Sequence, residues 1–214
     1  MGRCVIIGGA EIKNYEFIKK YLREDDYFIF CDKGLAHVDP LGLRPSLIIC
    51  EVDSHENPGA DVETITLPIA KDDTDTVYAV KEGIRRGFTE FILIGAVGQR
   101  MDHTLANVYM LEMLYNQGLK GLIIDDYGTM ELIGAETVKV EDDVLFFSLL
   151  NITGETSGIT ITGAKFPLED AEIKTEYQYG VSNEVLPGCT AEVSVKRGCA
   201  LLMRVYNDSG KFNS

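Results

Sequence analysis

The chain has 214 residues, enough to bury a substantial core as one large domain or two small ones. Its 34 acidic and 20 basic residues give a formal charge of −14, which argues against a surface built to neutralise nucleic-acid phosphates but leaves room for a polyphosphate bound through Mg2+. The five cysteines (Cys4, Cys31, Cys50, Cys189, Cys199) are odd in number and form no C-x-x-C pair, so they are read as reduced thiols of a cytoplasmic protein, not as a disulfide framework or a zinc site.

The opening MGRCVIIGG carries an apolar run too short for a signal-peptide core, and Ile6 stands where a myristoylation motif wants Ser or Thr. No later run approaches the roughly 18 apolar residues that span a bilayer, so neither a membrane nor a nucleic acid is an expected partner.

In chain order, the apolar runs RCVII, YFIFC, SLIIC, TITLP, EFILI and GLIID read as strands. Helical patterns lie between them. Val77, Val80 and Ile84 fall at helical spacing, and LANVYMLEMLY is apolar around most of its circumference, which predicts a helix buried on more than one side. The alternation predicts an α/β domain with an open, mainly parallel sheet over residues 1–135. From 136 to 214 the pattern changes to short β-like runs (TVKV, VLFFSLL, GITIT, EVLP, AEVSV, ALLMRV) separated by turn residues, which predicts a small all-β sandwich with NDSGKFNS as a frayed tail.

Ligands of an open parallel sheet bind beyond the carboxyl ends of its strands. Four runs lead into polar residues there: YFIFC into Asp32 and Lys33; SLIIC into Glu51, Asp53 and Ser54; TITLP into Lys71, Asp72, Asp73, Thr74 and Asp75; EFILI into Arg100, Asp102 and His103. Each has an ordinary explanation. Asp72, Asp73 or Thr74 could cap the helix that follows them, Asp102 and His103 could be only the opening turn of the LANVYMLEML helix, and Glu51 and Asp53 could belong to a solvated loop. His37 and His55 are read as surface residues. Yet carboxylates meeting on one rim repel unless a cation sits among them; hard oxygen donors suit Mg2+, and Lys71 and Arg100 supply charge for phosphate oxygens. Neither a P-loop nor G-x-G-x-x-G is present, and Gly8-Gly9 fits a phosphate approach or a tight turn equally.

The order CDKG, CEVDS, KDDTD, GAVGQRMDHTLAN and GVSNE resembles the thiamine pyrophosphokinase family over nearly the whole chain. The resemblance implies an α/β domain (1–135) binding Mg·ATP, a β-sandwich (136–214) helping to bind thiamine, and a homodimer whose sites lie between one subunit's α/β domain and its partner's sandwich. The implied reaction moves the terminal diphosphate of ATP to the thiamine hydroxyl, leaving AMP. Asp32, Asp53, Asp72, Asp75 and Asp102 then form the acidic cluster, with Glu51, Asp53, Asp72 and Asp75 toward Mg2+. Arg100 and Lys71 face phosphates; Ser54, His103 and Asn107 join the nucleotide site, Asn107 one helical turn beyond His103; Ser182 and Asn183 contact thiamine. Asp102 orients or deprotonates the hydroxyl, although metal and base roles are interchangeable among these aspartates.

Two departures stand out. Cys50-Glu51 replaces the family's usual Gly-Asp, so one ligand position carries a longer carboxylate and a side chain fills space the motif leaves empty, which implies an adapted loop. The tryptophan that some members place against thiamine is missing; Tyr177 or Tyr179 either stack there or pack as strand aromatics. The alternatives are a non-catalytic nucleotide- or thiamine-binding regulator and a phosphotransferase acting on another alcohol.

Overall fold

The computed structural model describes residues 2–51, 61–68, 72–98, 100–154 and 156–206. Asp53, Ser54, His55, Lys71 and the tail NDSGKFNS lie outside the described residues. The chain forms two compact units, the first ending at Asp126 and the second beginning at Tyr127.

In the first unit, β1 (Arg3–Ile7), β2 (Tyr27–Cys31), β3 (Leu47–Glu51), β4 (Thr64–Leu67), β5 (Glu90–Ile94) and β6 (Lys120–Ile124) lie in the order β4-β3-β2-β1-β5-β6, and every pair is parallel. Their near-continuous apolar composition suits strands covered on both faces. On one face α1 (Tyr15–Lys19), a 3-10 helix (Asp32–His37) and α2 (Val38–Leu41) close over Val5, Ile7, Phe28, Phe30, Ile92 and Ile94. Helix α3 (Asp75–Arg85) packs on β1 to β3, and α4 (Met101–Asn116) on β6. The chain lays down β1 to β4 toward one edge and then returns to place β5 on the other side of β1. The topological switch therefore lies between β1 and β5.

Helix α3 forms where the Val77, Val80, Ile84 spacing predicts one; it buries Ala79, Val80, Glu82 and Gly83 and leaves Val77 and Ile84 half-buried. Helix α4 departs from expectation. It buries Asn107, Met110, Leu111 and Leu114 but leaves Met101, Leu105 and Tyr109 exposed, because within one chain the sheet and α3 receive only one of its faces.

The second unit is all-β and antiparallel, as its turn-rich half predicts. β7 (Gly128–Ile133) and β9 (Val144–Leu150) flank β13 (Ala200–Tyr206), while β8 (Val138–Glu141), β10 (Thr156–Thr162), β11 (Leu168–Glu172) and β12 (Thr190–Gly198) run in the order β11-β10-β12-β8. Ile133, Phe147, Leu149 and Leu202 from the first set share one core with Val140, Ile159, Ile161, Val193 and Val195 from the second, so the two layers pack face to face. EVLP is not a strand: Val185 makes only an isolated bridge to Ala164, and Pro187 opens a turn. Strands β7 and β11 were not legible, since GTMELI shows no clean alternation and LEDAE carries three acidic residues on a short exposed strand.

Candidate active site

The site grows from the carboxyl ends of β1, β2, β3 and β5. After β1, Gly8 N–H donates to Ile94 O at 2.8 Å and Ala10 N–H to Gly95 O at 3.0 Å, so the loops after β1 and β5 run together. A Cβ on Gly8 would stand 2.6 Å from Gly95 O, and one on Gly9 2.6 Å from Lys33 Cβ. Close approach of three loops is what the glycine pair permits.

His37, expected on the surface, is buried. Its Nε2 lies 3.0 Å from Ala10 O and its Nδ1 2.9 Å from the Tyr15 hydroxyl. A carbonyl only accepts, so Nε2 carries the proton and Nδ1 accepts from Tyr15. Burial lowers the imidazole pKa, keeping it neutral. No periodicity within a single 3-10 helix reveals which side of it faces inward.

Asp32 follows β2 directly, half-buried, with φ of 41°, a left-handed conformation rare outside glycine. Such backbone costs about 1–3 kcal/mol and collects at functional sites. The adjacent Cys31 Sγ donates to Asp75 O at 3.7 Å, which sets Asp32 beside the start of α3. There Thr74 is the cap, its Oγ1 accepting from Val77 N–H at 3.3 Å, and Asp73 pairs with Lys81 at 2.7 Å. Asp72 is exposed and Asp75 half-buried in the first turn, so capping explains neither.

Glu51 ends β3, half-buried, and the parallel ladder to β4 runs unbroken through Cys50↔Thr66 and Glu51↔Leu67. Cys50 is buried within that ladder. Successive strand residues face opposite ways, so its thiol does not share Glu51's side. The substitution that implies an adapted loop thus leaves the strand regular up to Glu51.

At the head of α4, Arg100 Nε and Nη2 donate to Asp102 Oδ1 and Oδ2 at 2.9 and 2.6 Å, both side chains exposed. The guanidinium holds the Asp102 carboxyl well below the usual range, and the carboxylate raises Arg100 in turn. Asp102 is in the first turn but does not cap it. Thr104 Oγ1 instead accepts from Gly98 N–H at 3.1 Å and donates to Gly98 O at 3.2 Å, folding the loop onto the helix. His103 is exposed, whereas Asn107, one turn on, is buried with Nδ2 donating to Ala96 O at 2.6 Å; it supports the loop from beneath.

Among the described residues no three His, Cys, Asp or Glu side chains are grouped to hold a metal ion. Mg2+ is ordinarily held by one or two carboxylates, with water and substrate phosphates completing its octahedron. Glu51 ends β3 and Asp72 and Asp75 follow β4 at the carboxyl-end rim, and all three are hard oxygen donors of the kind that suits Mg2+.

In the second unit, Ser182 is exposed with φ of 59°, its N–H donating to Ser148 Oγ at 3.0 Å. Asn183 is buried: Oδ1 accepts from Phe166 and Glu184 N–H at 3.0 and 2.9 Å, and Nδ2 donates to Phe166 O at 2.8 Å. Its side chain anchors the turn that presents Ser182. Tyr177 and Tyr179 are exposed, with ring centroids 5.6 Å apart, and do not pack in a strand.

One rim residue went unnoticed. Asp126, two residues past β6, accepts from Lys13 and Asn14 N–H at 2.9 and 2.8 Å through one oxygen, Oδ1. The strand-end rule applied to GLIID would have found it.

Residues 18–123 match the family model described as thiamin pyrophosphokinase, catalytic domain, and residues 136–200 that described as thiamin pyrophosphokinase, vitamin B1 binding domain. A thiamine pyrophosphokinase of Bacillus subtilis is 22% identical over 207 residues, covering 93% of this chain and 96% of its own. Among solved structures, thiamine pyrophosphokinase from Bacillus subtilis superposes with a TM-score of 0.84 at 20% identity over 97% of this chain and 100% of that one. The Geobacillus thermodenitrificans enzyme gives 0.81 at 23% identity over 97% and 99%, and yeast thiamin pyrophosphokinase 0.72 at 14% over 96% and 86%.

Proposed function

The chain belongs to the thiamin pyrophosphokinase family and carries that family's activity, and from that premise we propose how its residues perform it. The α/β domain, residues 1–126, binds ATP with Mg2+ and carries the chemistry; the β-rich domain, residues 127–214, contributes thiamine contacts. The terminal diphosphate of ATP passes to the thiamine hydroxyl, giving thiamine diphosphate and AMP.

The observation that carries this reading is the Arg100–Asp102 pair, placed at the head of α4 directly beyond β5 and beside the switch between β1 and β5. Diphosphoryl transfer asks mainly for alignment and for donors aimed at developing negative charge. Arg100 holds the transferring phosphates through its paired donors, and Asp102, freed by that exchange, orients or deprotonates the hydroxyl. Glu51, Asp53, Asp72 and Asp75 are the residues that would hold Mg2+, which would supply neutralisation of phosphate charge. Asp32 is assigned to the same acidic set, and Lys71, Ser54 and His103 to nucleotide contacts, with Lys71 and Ser54 outside the described residues. Ser182 is the thiamine-facing member of GVSNE, with Asn183 holding its turn.

Exposed Met101, Leu105 and Tyr109, beginning beside Asp102 on α4, support a homodimer with shared sites. All five cysteines are free thiols, which supports a cytoplasmic location, and no helix among the described residues is long and apolar enough to cross a membrane.

The test is incubation with ATP, Mg2+ and thiamine, followed by product analysis. AMP with thiamine diphosphate is expected. ADP would indicate simple phosphoryl transfer, and ligand binding without either product would make the chain a regulator.

A further inference from the structure

Ala10 is a junction. Its N–H donates to Gly95 O at 3.0 Å, its carbonyl accepts from His37 Nε2 at 3.0 Å, and a Cβ on Gly98 would stand 2.9 Å from its methyl. Gly98 in turn is held on both its N–H and its C=O by Thr104 Oγ1, in the helix turn that carries Asp102. A continuous set of packed and hydrogen-bonded groups thus runs from His37 through Ala10 and Gly98 to Thr104.

His37 is suited to anchor it. The ring is buried, both nitrogens are engaged, and its tautomer is fixed by the Ala10 carbonyl. It closes the 3-10 helix that opens at the strained Asp32, so one imidazole joins the Asp32 segment to the loops after β1 and β5. The far side of the β1 loop is pinned independently, by Asp126 on Lys13 and Asn14. That leaves the Ala10 carbonyl to His37, while the Ala10 N–H is bonded to Gly95 O in the loop after β5.

We propose that His37 is a positioning residue for the transfer site: by holding Ala10 it sets where the loop after β5, and with it Arg100 and Asp102, stands. This rests on the reading of that rim as the transfer site. Misplacing reacting groups by about 1 Å can cost on the order of a hundredfold in rate without touching the chemistry itself. A ring that only filled the core would affect stability and nothing else.

His37→Phe keeps the ring and removes the donor to Ala10; His37→Gln returns a donor nitrogen at similar reach. The first is expected to lower kcat roughly tenfold or more, with KM for ATP and thiamine changed less, and to speed amide exchange at Gly98 and Thr104. The second is expected to regain most of both. Should His37→Phe fail to fold, Tyr15→Phe, which removes only the hydroxyl on Nδ1, tests the same set of contacts with a smaller loss expected. Stability loss alone, with kcat and exchange unchanged in whichever variant folds, overturns the proposal. If the unaltered protein makes no thiamine diphosphate, the functional reading fails, while exchange at Gly98 and Thr104 still decides whether His37 controls the loop.

Discussion

Arg100 grips both carboxylate oxygens of Asp102 from only two residues away, at 2.9 and 2.6 Å, with both side chains in solvent. An aspartate so held is a weak base, since its carboxyl sits well below the usual range. A phosphate competes for the same two donors. In the proposed mechanism a phosphate that took them would leave Asp102 without its cation and return its basicity, joining nucleotide binding to activation of Asp102.

Asp102→Asn should therefore nearly abolish thiamine diphosphate formation while leaving the melting temperature almost unchanged. An exposed ion pair contributes little to folding, and the cap-like work in this turn is done by Thr104. Near-normal turnover in this variant would remove both the base and the metal role from Asp102.

Arg100→Ala should raise the Asp102 carboxyl pKa toward the ordinary range, measured by NMR titration of the side-chain carboxyl. A depressed folded-state pKa adds stability that is present above the unfolded value and lost as pH falls through the folded one. The variant should thus lose a small increment of stability near neutrality and none in strong acid. An unmoved Asp102 titration would mean that the pair is not formed in solution.

Strands β1, β2, β3 and β5 were legible because a parallel strand buried on both faces is an uninterrupted apolar run. The carboxylates just beyond them followed from the same logic. His37 did not, because one turn of 3-10 helix is too short to show which side is inward, and its partners at Ala10 and Tyr15 come from another loop. Nor did the exposed face of α4: apolar residues around a helix say that it seeks cover, not whether its own chain provides it.

The β-rich half needs β7. Six residues of β7 pair with β13, and Ile133 belongs to the shared core. A fragment of residues 127–214 should unfold cooperatively in a thermal circular-dichroism scan, whereas 137–214, with β13 stripped of that neighbour, should not. Neither should bind thiamine tightly by calorimetry, because the proposed pocket takes a wall from another subunit. Tight binding by either would contradict shared sites.

Far from the rim, Arg3 at the start of β1 forms a buried pair with Asp26, Nε and Nη2 donating to its two oxygens at 2.8 and 2.7 Å. Asp26→Ala leaves the guanidinium buried without its partner and should cost about 3–5 kcal/mol. Urea denaturation measures this as a lowered midpoint, with activity per folded molecule retained. A loss below about 1 kcal/mol would mean that water reaches Arg3 readily.

Glu51 is where the chain leaves its family's usual pattern, and the structure narrows what that means. Glutamate keeps the charge and adds a methylene, while Mg2+ accepts only near-ideal octahedral geometry at about 2.0–2.1 Å. The β3–β4 ladder is regular through Cys50 and Glu51, so the strand fixes where the carboxylate begins and the longer side chain sets how far it reaches. Glu51→Asp withdraws the carboxylate by roughly a bond length from an unmoved backbone, and should lower kcat/KM and raise the Mg2+ concentration needed for half-maximal rate. Cys50→Gly should not rescue it. Cys50 faces away into the core, so its loss removes packing and loosens a strand interior by about 0.5–1 kcal/mol without moving Glu51. The two substitutions should be close to additive, one acting on metal dependence and the other on stability. If the double variant instead recovered activity over Glu51→Asp alone, Cys50 would be pressing on the ligand position through the backbone, and the regular ladder would not be what sets Glu51's reach.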